Sequence, residues 1–297
     1  MKSVSIIIVT YNAEKYIYNC VSSINESKIN VHIIVIDNGS QDKTLDIIRA
    51  NFKNIEIVDS KKNLGFGAAN NIGYEIALAR NSDYIYLLNQ DTISYPETLS
   101  RMIEILDSDS HIGVASPMHL NDDGQKLDKK FEEYISAGSC PEYISDASLN
   151  KVSTFYEIGF VNAAAWLINI EVIKKLGGLF SSAFFHYGED SNFLSRLRYH
   201  KKKCVIIPNI YVHHLREERS GKMSAAFEKR KLSIKKVEIM TNINRDYKST
   251  VKILYKYAGQ QIFHGNLKGG FELLLYPITH RTEILRYRNS YTSSKIL

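Results

Sequence analysis

Long apolar runs are missing from this sequence, and so is any surplus of cysteine. Three cysteines, Cys20, Cys140 and Cys204, are odd in number and too widely spaced for a metal or redox motif. They point to a reducing cytoplasm and away from a disulfide scaffold. No stretch approaches the ~20 apolar residues that a membrane-crossing helix needs, so a spanning protein is not expected. The opening MKSVSIIIVTYN holds an apolar run about half as long as a secretory signal core, with no small-residue cleavage site after it. It reads as a first strand. Proline (5) and glycine (16) are too few for a collagen-like or proline-rich disordered chain, and there is no internal repeat or low-complexity block.

The composition is that of a globular chain, 44% hydrophobic and 24% charged over 297 residues. That length suits one large α/β domain with an appendage. The formal charge of +6 gathers at one end: from Lys229 onward there are 14 basic and 4 acidic side chains. Tyr247, Tyr255, Tyr257, Phe263, Phe271, Tyr276 and Tyr287 are interleaved with them. This is either a solvated helical surface with tyrosines packed on the domain or a face for a polyanion. Peripheral contact with an anionic membrane is the expectation carried forward, with no nucleic-acid partner.

The first hundred residues alternate. Val4–Thr10 and Val31–Asp37 are β-branched runs on either side of a helical pattern over Glu14–Asn25, which is a βαβ unit. Thr44–Phe52 reads as a second helix, Ile55–Asp59 as a third strand, Ala68–Ala79 as a third helix and Tyr84–Leu88 as a fourth strand. Strands without polar alternation, joined by helices, predict a mainly parallel sheet covered on both faces. Ligands bind such sheets beyond the carboxyl ends of the strands. From His119 to Phe155 the periodicity fades into polar sequence, predicted as a long surface excursion. A strand and helix return in GFVNAAAWLINIEVIKKLGGL, stopped by Gly177 and Gly178. CVIIPNIYVHH is the last strand, and helices alone are expected beyond about Ser220. The predicted division is an α/β domain over 1–225 and a basic, aromatic-rich helical extension over 226–297.

Four segments follow strands: TYN (Thr10, Tyr11, Asn12), DNGSQD from Asp37, NLGFGAANNIG from Asn63, and NQD (Asn89, Gln90, Asp91). Asp37 ends a buried strand, where its carboxylate accepts from a pyrimidine or ribose, or where it or Ser40 caps the helix that follows. Gly65 and Gly67 allow close backbone approach, and Asn70 and Asn71 bring amides to a helix start. The first turn, TYNAEKYI, is not glycine-rich, so a dinucleotide fold is not expected. Asp91 offers an oxygen ligand for Mg²⁺ or Mn²⁺, whose shell a diphosphate can complete, and His213 or His214 adds a nitrogen better suited to Mn²⁺. Glu189 and Asp190 open a helical pattern, either as acids favoured at a helix N-terminus or as a general base.

Taken in order, SIIIVTYN, IDNGSQD, NLGFGAANNIG, LLNQDT, GEDSNFLSRL and PNIYVHH closely resemble family two of the glycosyltransferases, particularly its bacterial rhamnosyltransferase-like branch, over roughly residues 3–220. The resemblance implies a GT-A nucleotide-sugar-binding fold and inversion at the anomeric carbon. It implies that Thr10, Tyr11, Asp37 and Asn38 hold base and ribose, with Asn63, Gly65 and Asn71 beside the nucleotide. Asn12, Ser40, Phe66, Asn89 and Gln90 belong to the same segments and are expected to complete the donor pocket. It implies Asp91 as metal ligand, His214 as a second ligand, and Asp190 as base with Glu189 the adjacent candidate. Three positions depart from the pattern: Asn38 stands where many relatives have a second acid, Asn89 replaces the first acid of D-x-D, and Ser191 and Asn192 stand where a further acid is common.

The expected activity is transfer of a sugar from a UDP- or dTDP-linked donor to a hydroxyl of a bacterial surface glycan or lipid-linked acceptor, at the cytoplasmic side of the membrane. A sugar-phosphate nucleotidylyltransferase would need a Gly-rich, Arg- and Lys-bearing loop after strand one. A binding protein without catalysis would not need both Asp91 and Asp190. A processive synthase would carry a Q-x-x-R-W element, and the only tryptophan is Trp166.

Overall fold

The computed structural model describes residues 2–27, 29–215 and 225–292. The first half comprises β1 (Val4–Thr10), α1 (Ile17–Asn25), β2 (Val31–Asp37), α2 (Thr44–Asn51), β3 (Ile55–Asp59), α3 (Phe66–Ala79) and β4 (Tyr84–Asn89). There follow β5 (Thr92–Ser94), α4 (Thr98–Ser108), β6 (Ile112–Leu120), α5 (Lys129–Tyr134), α6 (Pro141–Ser148), β7 (Tyr156–Glu157), β8 (Ala165–Asn169), α7 (Ile170–Lys175), α8 (Glu189–Tyr199) and β9 (Lys203–His214). The last four are α9 (Ala225–Thr241), α10 (Tyr247–Phe263), α11 (Leu267–Thr279) and α12 (Arg281–Thr292). None of the described helices is long and apolar enough to cross a membrane.

All strands join one nine-stranded sheet in the order β3-β2-β1-β4-β8-β6-β9-β5, with β7 also on β9. β1 is parallel to β2 and β4, and β2 to β3. β8 runs antiparallel between β4 and β6, while β6 and β9 are parallel. Side-chain alternation explains the unbroken apolar runs: Ile7 packs in the core that holds Ala69 and Ala77 of α3, while Ile6 and Ile8 face Ile17 and Val21 of α1. The order 3-2-1-4 makes the chain reverse direction across the sheet between β1 and β4, where Val9 lies beside Asn89. A crevice opens beyond the carboxyl ends at such a reversal.

The first three strands run as expected, and β4 extends one residue further, to Asn89. α1 starts at Ile17 instead of Glu14, because residues 14–16 form a turn. The segment 119–155 differs from expectation. It is not an irregular surface excursion: β6 continues to Leu120, and α5 and α6 follow. The Asp128 carboxylate caps α5 by accepting from the Lys130 and Phe131 amides, each at 3.0 Å. Phe131 is fully buried against the His119 ring, with centroids 4.6 Å apart.

The four C-terminal helices enclose a small core of Met240, Leu254, Ala258, Leu273 and Ile284. The expected division at 225/226 falls at the start of α9, directly after residues 216–224, which lie outside the described residues. α12 returns to the sheet domain. Arg196 of α8 is buried and donates to the carbonyls of Leu176 (3.0 Å), Gly178 (2.8 Å) and Leu179, and its guanidinium lies 4.9 Å from the Tyr291 ring centroid. Tyr291 in turn bonds Ser181 through its hydroxyl and His200 Nε2 (2.9 Å) through its carbonyl.

Candidate active site

A cleft of about 1920 Å³ opens at the β1–β4 crevice. Asn89 and Asp91 enter it from the end of β4, His214 from the end of β9, and Glu189 and Asp190 from the first turn of α8. Strand pairing brings the first group together. β5 runs antiparallel to β9 with Thr92 opposite His214, and the Leu215 amide donates to the Asp91 carbonyl at 2.8 Å. His214 Nε2 then lies 3.5 Å from Asp91 Oδ1. Alternation along β9 sends the neighbouring His213 the other way, where its Nε2 meets the Tyr95 hydroxyl at 2.6 Å. His214 is therefore the histidine beside Asp91. Its ring is buried, and Nδ1 has no hydrogen-bond partner among the described residues.

The pair fits a divalent ion that takes only two ligands from the protein. No cluster of three or more His, Cys, Asp or Glu able to hold a metal occurs among the described residues. Diphosphate oxygens and water would have to complete the shell, as they commonly do for Mg²⁺.

Backbone geometry at Gly188 positions the acid pair. Its φ is +94°, and a Cβ there would come within 2.8 Å of the Phe184 ring and 2.9 Å of Ile234, so only glycine turns the chain into α8 at this point. Glu189 is buried, and its Oε2 has no partner among the described residues. Burial raises its pKa to about 7, with the Asp190 charge adding to the rise and Arg230 opposing it. Burial also raises Asp190 to about 6, with Glu238 adding to the rise, although the Ser191 amide donates to Oδ1 at 2.7 Å.

A raised carboxyl binds its proton more tightly in the folded chain than in the unfolded one. Glu189 therefore stabilises the fold fully below about pH 4.5, and that contribution is lost as pH rises towards 7. Gln at this position removes the titration. Between pH 4.5 and 8 wild type should lose about 2–3 kcal/mol more stability than Glu189→Gln. Urea unfolding at both pH values checks this, and parallel pH profiles for the two proteins would contradict it.

The donor-side residues expected from the sequence form a connected loop cluster next to the cleft. Tyr11, 47% exposed, exchanges bonds with Gln90: its amide donates to Oε1 at 2.7 Å and its carbonyl accepts from Nε2 at 3.3 Å. The Asn12 amide donates to Ser40 Oγ at 3.0 Å. Asn38 is buried and holds the Leu64 amide (2.8 Å) and Asn63 Oδ1 (3.2 Å). Gly65, with φ +86°, begins α3 so close to the chain that a Cβ would lie 2.1 Å from the Phe185 carbonyl. Phe66 lines the cleft itself.

Two of these residues are engaged differently from expectation. Asp37 is 1% exposed, and both its oxygens are filled: Thr10 Oγ1 (2.8 Å) and Ser40 Oγ (2.6 Å) donate to Oδ1, the Ser40 and Gly39 amides to Oδ2. Its carboxylate folds the loop, and neither Asp37 nor Ser40 caps α2. Asn71 is a clip across the fold, donating to the Phe180 carbonyl (2.8 Å) and accepting from the Phe180 amide (2.9 Å).

The sequence carried no signal for other parts of the wall. Ile234, Lys235 and Glu238 of α9 line the cleft, as do Tyr134 and Phe160, whose rings meet edge to face at 5.1 Å. Arg230 of α9 lies 4.8 Å over the Tyr187 ring. Each comes from an element distant in sequence, so no local spacing could have grouped them.

The parallel half-sheet, the crevice at its reversal and the acids gathered there define a GT-A architecture. The glycosyl transferase family 2 profile matches residues 5–177, and the chain belongs to that family. An uncharacterized glycosyltransferase of Haemophilus influenzae is 37% identical over 113 residues, covering 37% of this chain and 34% of the relative. A dolichyl N-acetyl-alpha-D-glucosaminyl phosphate 3-beta-D-2,3-diacetamido-2,3-dideoxy-beta-D-glucuronosyltransferase of Methanococcus voltae is 30% identical over 222 residues, 71% of this chain and 66% of the relative. The chain spans only 34%, 43% and 45% of three curated relatives it matches. In fold it is similar to S. aureus TarS 1-349, solved with UDP-GlcNAc, at a TM-score of 0.58 and 18% identity over 99% of this chain and 81% of that one.

Proposed function

We propose that the protein transfers a sugar from a nucleoside diphosphate sugar to an acceptor hydroxyl, with inversion at the anomeric carbon. The observation that carries the reading is the meeting of the Asp91–His214 pair and the Glu189–Asp190 pair in one cleft. A single displacement needs a base on the acceptor and charge stabilisation on the leaving group. Asp190 accepts the hydroxyl proton as the acceptor oxygen attacks the anomeric carbon, the bond to the diphosphate oxygen breaks, and the nucleoside diphosphate departs with the electron pair. Asp91 and His214 would hold Mn²⁺ or Mg²⁺, which when bound would supply positive charge against the departing diphosphate.

Thr10, Tyr11, Asn12, Asn38, Ser40, Asn63, Gly65, Phe66, Asn89 and Gln90 form or shape the donor pocket, with Asp37 and Asn71 holding its loops in place. A uridine or thymidine donor is supported by the UDP-GlcNAc in the fold neighbour and by the motif likeness to the rhamnosyltransferase-like branch. A surface-glycan or lipid-linked acceptor is supported by the names of two relatives, the dolichyl phosphate transferase and a polyprenol monophosphomannose synthase of Mycolicibacterium smegmatis. Such an acceptor places the enzyme peripherally at the inner face of the membrane.

A panel of UDP- and dTDP-sugars in thermal shift, with and without Mn²⁺, tests the reading. The cognate donor should raise Tm by about 5 °C with metal, and by clearly less at the same concentration without it. Acceptor should then release free nucleoside diphosphate. A chain that no donor stabilises under either condition overturns the proposal, and donor binding without release identifies a binding protein.

A further inference from the structure

The α10–α11 hairpin turns an apolar face to solvent. Phe263 is 86% exposed, Leu267 57%, Phe271 59%, Leu275 57% and Ile278 68%. Residues 267, 271, 275 and 278 recur at helical spacing, so they share one side of α11, while Leu273 and Pro277 on the opposite side are buried. Single exposed apolar residues are ordinary. A contiguous row of large ones marks a surface that binds something.

The hairpin is tightly built. Gly270 sits where a Cβ would lie 2.3 Å from Ile262 Cγ1 and 3.0 Å from the Ala258 carbonyl, so α11 lies directly against α10 at this point. Its outer surface is also basic. Lys248, Lys252 and Lys256 are exposed on α10, as is Lys268 on α11. On the α9 side of α10, a groove of about 310 Å³ is lined by Lys235, Arg245 and Lys256 with no acidic lining residue. Glu272, the acid on α11, is bound to Lys236.

We propose that this face docks on an anionic lipid bilayer, with α11 lying in the plane of the interface. Leu267, Phe271, Leu275 and Ile278 enter the acyl boundary, and the lysines reach the headgroup phosphates. A second copy of the chain is the poorer occupant, because a symmetric pairing would set these lysine-bearing surfaces against each other. The proposal deepens the peripheral placement above and needs no particular donor or acceptor.

The test is co-sedimentation of the full chain with vesicles of phosphatidylcholine alone or with about 30% phosphatidylglycerol, at about 0.05 and 0.5 M salt. Wild type should bind the anionic vesicles at low salt and release at high salt. Phe271→Ser with Leu275→Ser should weaken that binding by about tenfold or more, and Lys252→Glu with Lys256→Glu should reduce it to the level on neutral vesicles. Both variants should keep their melting temperature and donor-induced thermal shift, since the altered side chains are exposed and outside the cleft. Absence of wild-type binding at low salt overturns the proposal, as does unchanged binding by the serine variant. So does sedimentation velocity showing a dimer that the serine variant dissociates, without vesicle binding. Failure of the sugar-transfer reading would appear separately, as a missing donor shift.

Discussion

Replacing Asp190 by Asn should lower turnover by about two to four orders of magnitude and leave donor affinity nearly unchanged. A neutral sugar hydroxyl attacks poorly at neutral pH, and base assistance typically contributes about 10²–10⁴-fold. Asn keeps the shape and the contact with the Ser191 amide but cannot take the proton. The loss should fall on kcat, because the base acts on the acceptor in the transition state. The wild-type rate should decline as pH falls through about 6, since burial holds the Asp190 carboxyl above the usual range. That acid limb should vanish in the residual activity of Asp190→Asn. Glu189→Gln, assayed in parallel at saturating donor and acceptor, guards the assignment: loss of turnover there with an active Asp190→Asn would transfer the role to Glu189.

Asp91→Ala should abolish the proposed metal dependence of donor binding, weakening affinity in Mn²⁺ by about tenfold to a hundredfold or more. Affinity without metal should barely change, because the contacts proposed for base and ribose lie in the loops after β1 and β2, away from Asp91. The fold should persist. Asp91 sits at a strand end with its side chain 23% exposed, and the bond that ties β5 to β9 comes from its backbone carbonyl, which alanine retains. Titration calorimetry of the nucleotide with and without Mn²⁺ measures both effects, and unchanged metal-dependent affinity in Asp91→Ala removes Asp91 from the ligand set.

Much of the frame could be read from residue pattern, because β1 and β4 are buried almost throughout and β2 over its last five residues, so solvent leaves little polar mark within them. The runs VSIIIVT and VHIIVID therefore begin and end where their strands do. α5 and α6 escaped because helices of 6 and 8 residues show too little periodicity, and α6 buries no side chain at all. The meeting of Asp91 with His214 depends on β5 pairing with a strand more than a hundred residues away, and no local spacing encodes that. Polar saturation was equally invisible. The four donors that close on the Asp37 oxygens come from Thr10, Gly39 and Ser40, and nothing in the residue order announces that arrangement. The bonds of Asn71 to the backbone of Phe180, more than a hundred residues away, were hidden for the same reason.

The return of α12 to the sheet domain bears on how this chain can be divided. The family profile stops at residue 177, yet the guanidinium of Arg196 is covered by a ring from position 291, and a Cβ on Gly177 would strike the carbonyl of Ser290 at 2.3 Å. A fragment ending at residue 177 would lose α8 with Glu189, Asp190 and Arg196 as well as β9, and one ending before α12 would leave the buried Arg196 guanidinium uncovered. Recombination between relatives should tolerate exchange of the loops around the cleft more readily than exchange of the last seventy or so residues. During synthesis, the Arg196 guanidinium gains its aromatic cover only after α12 has been made.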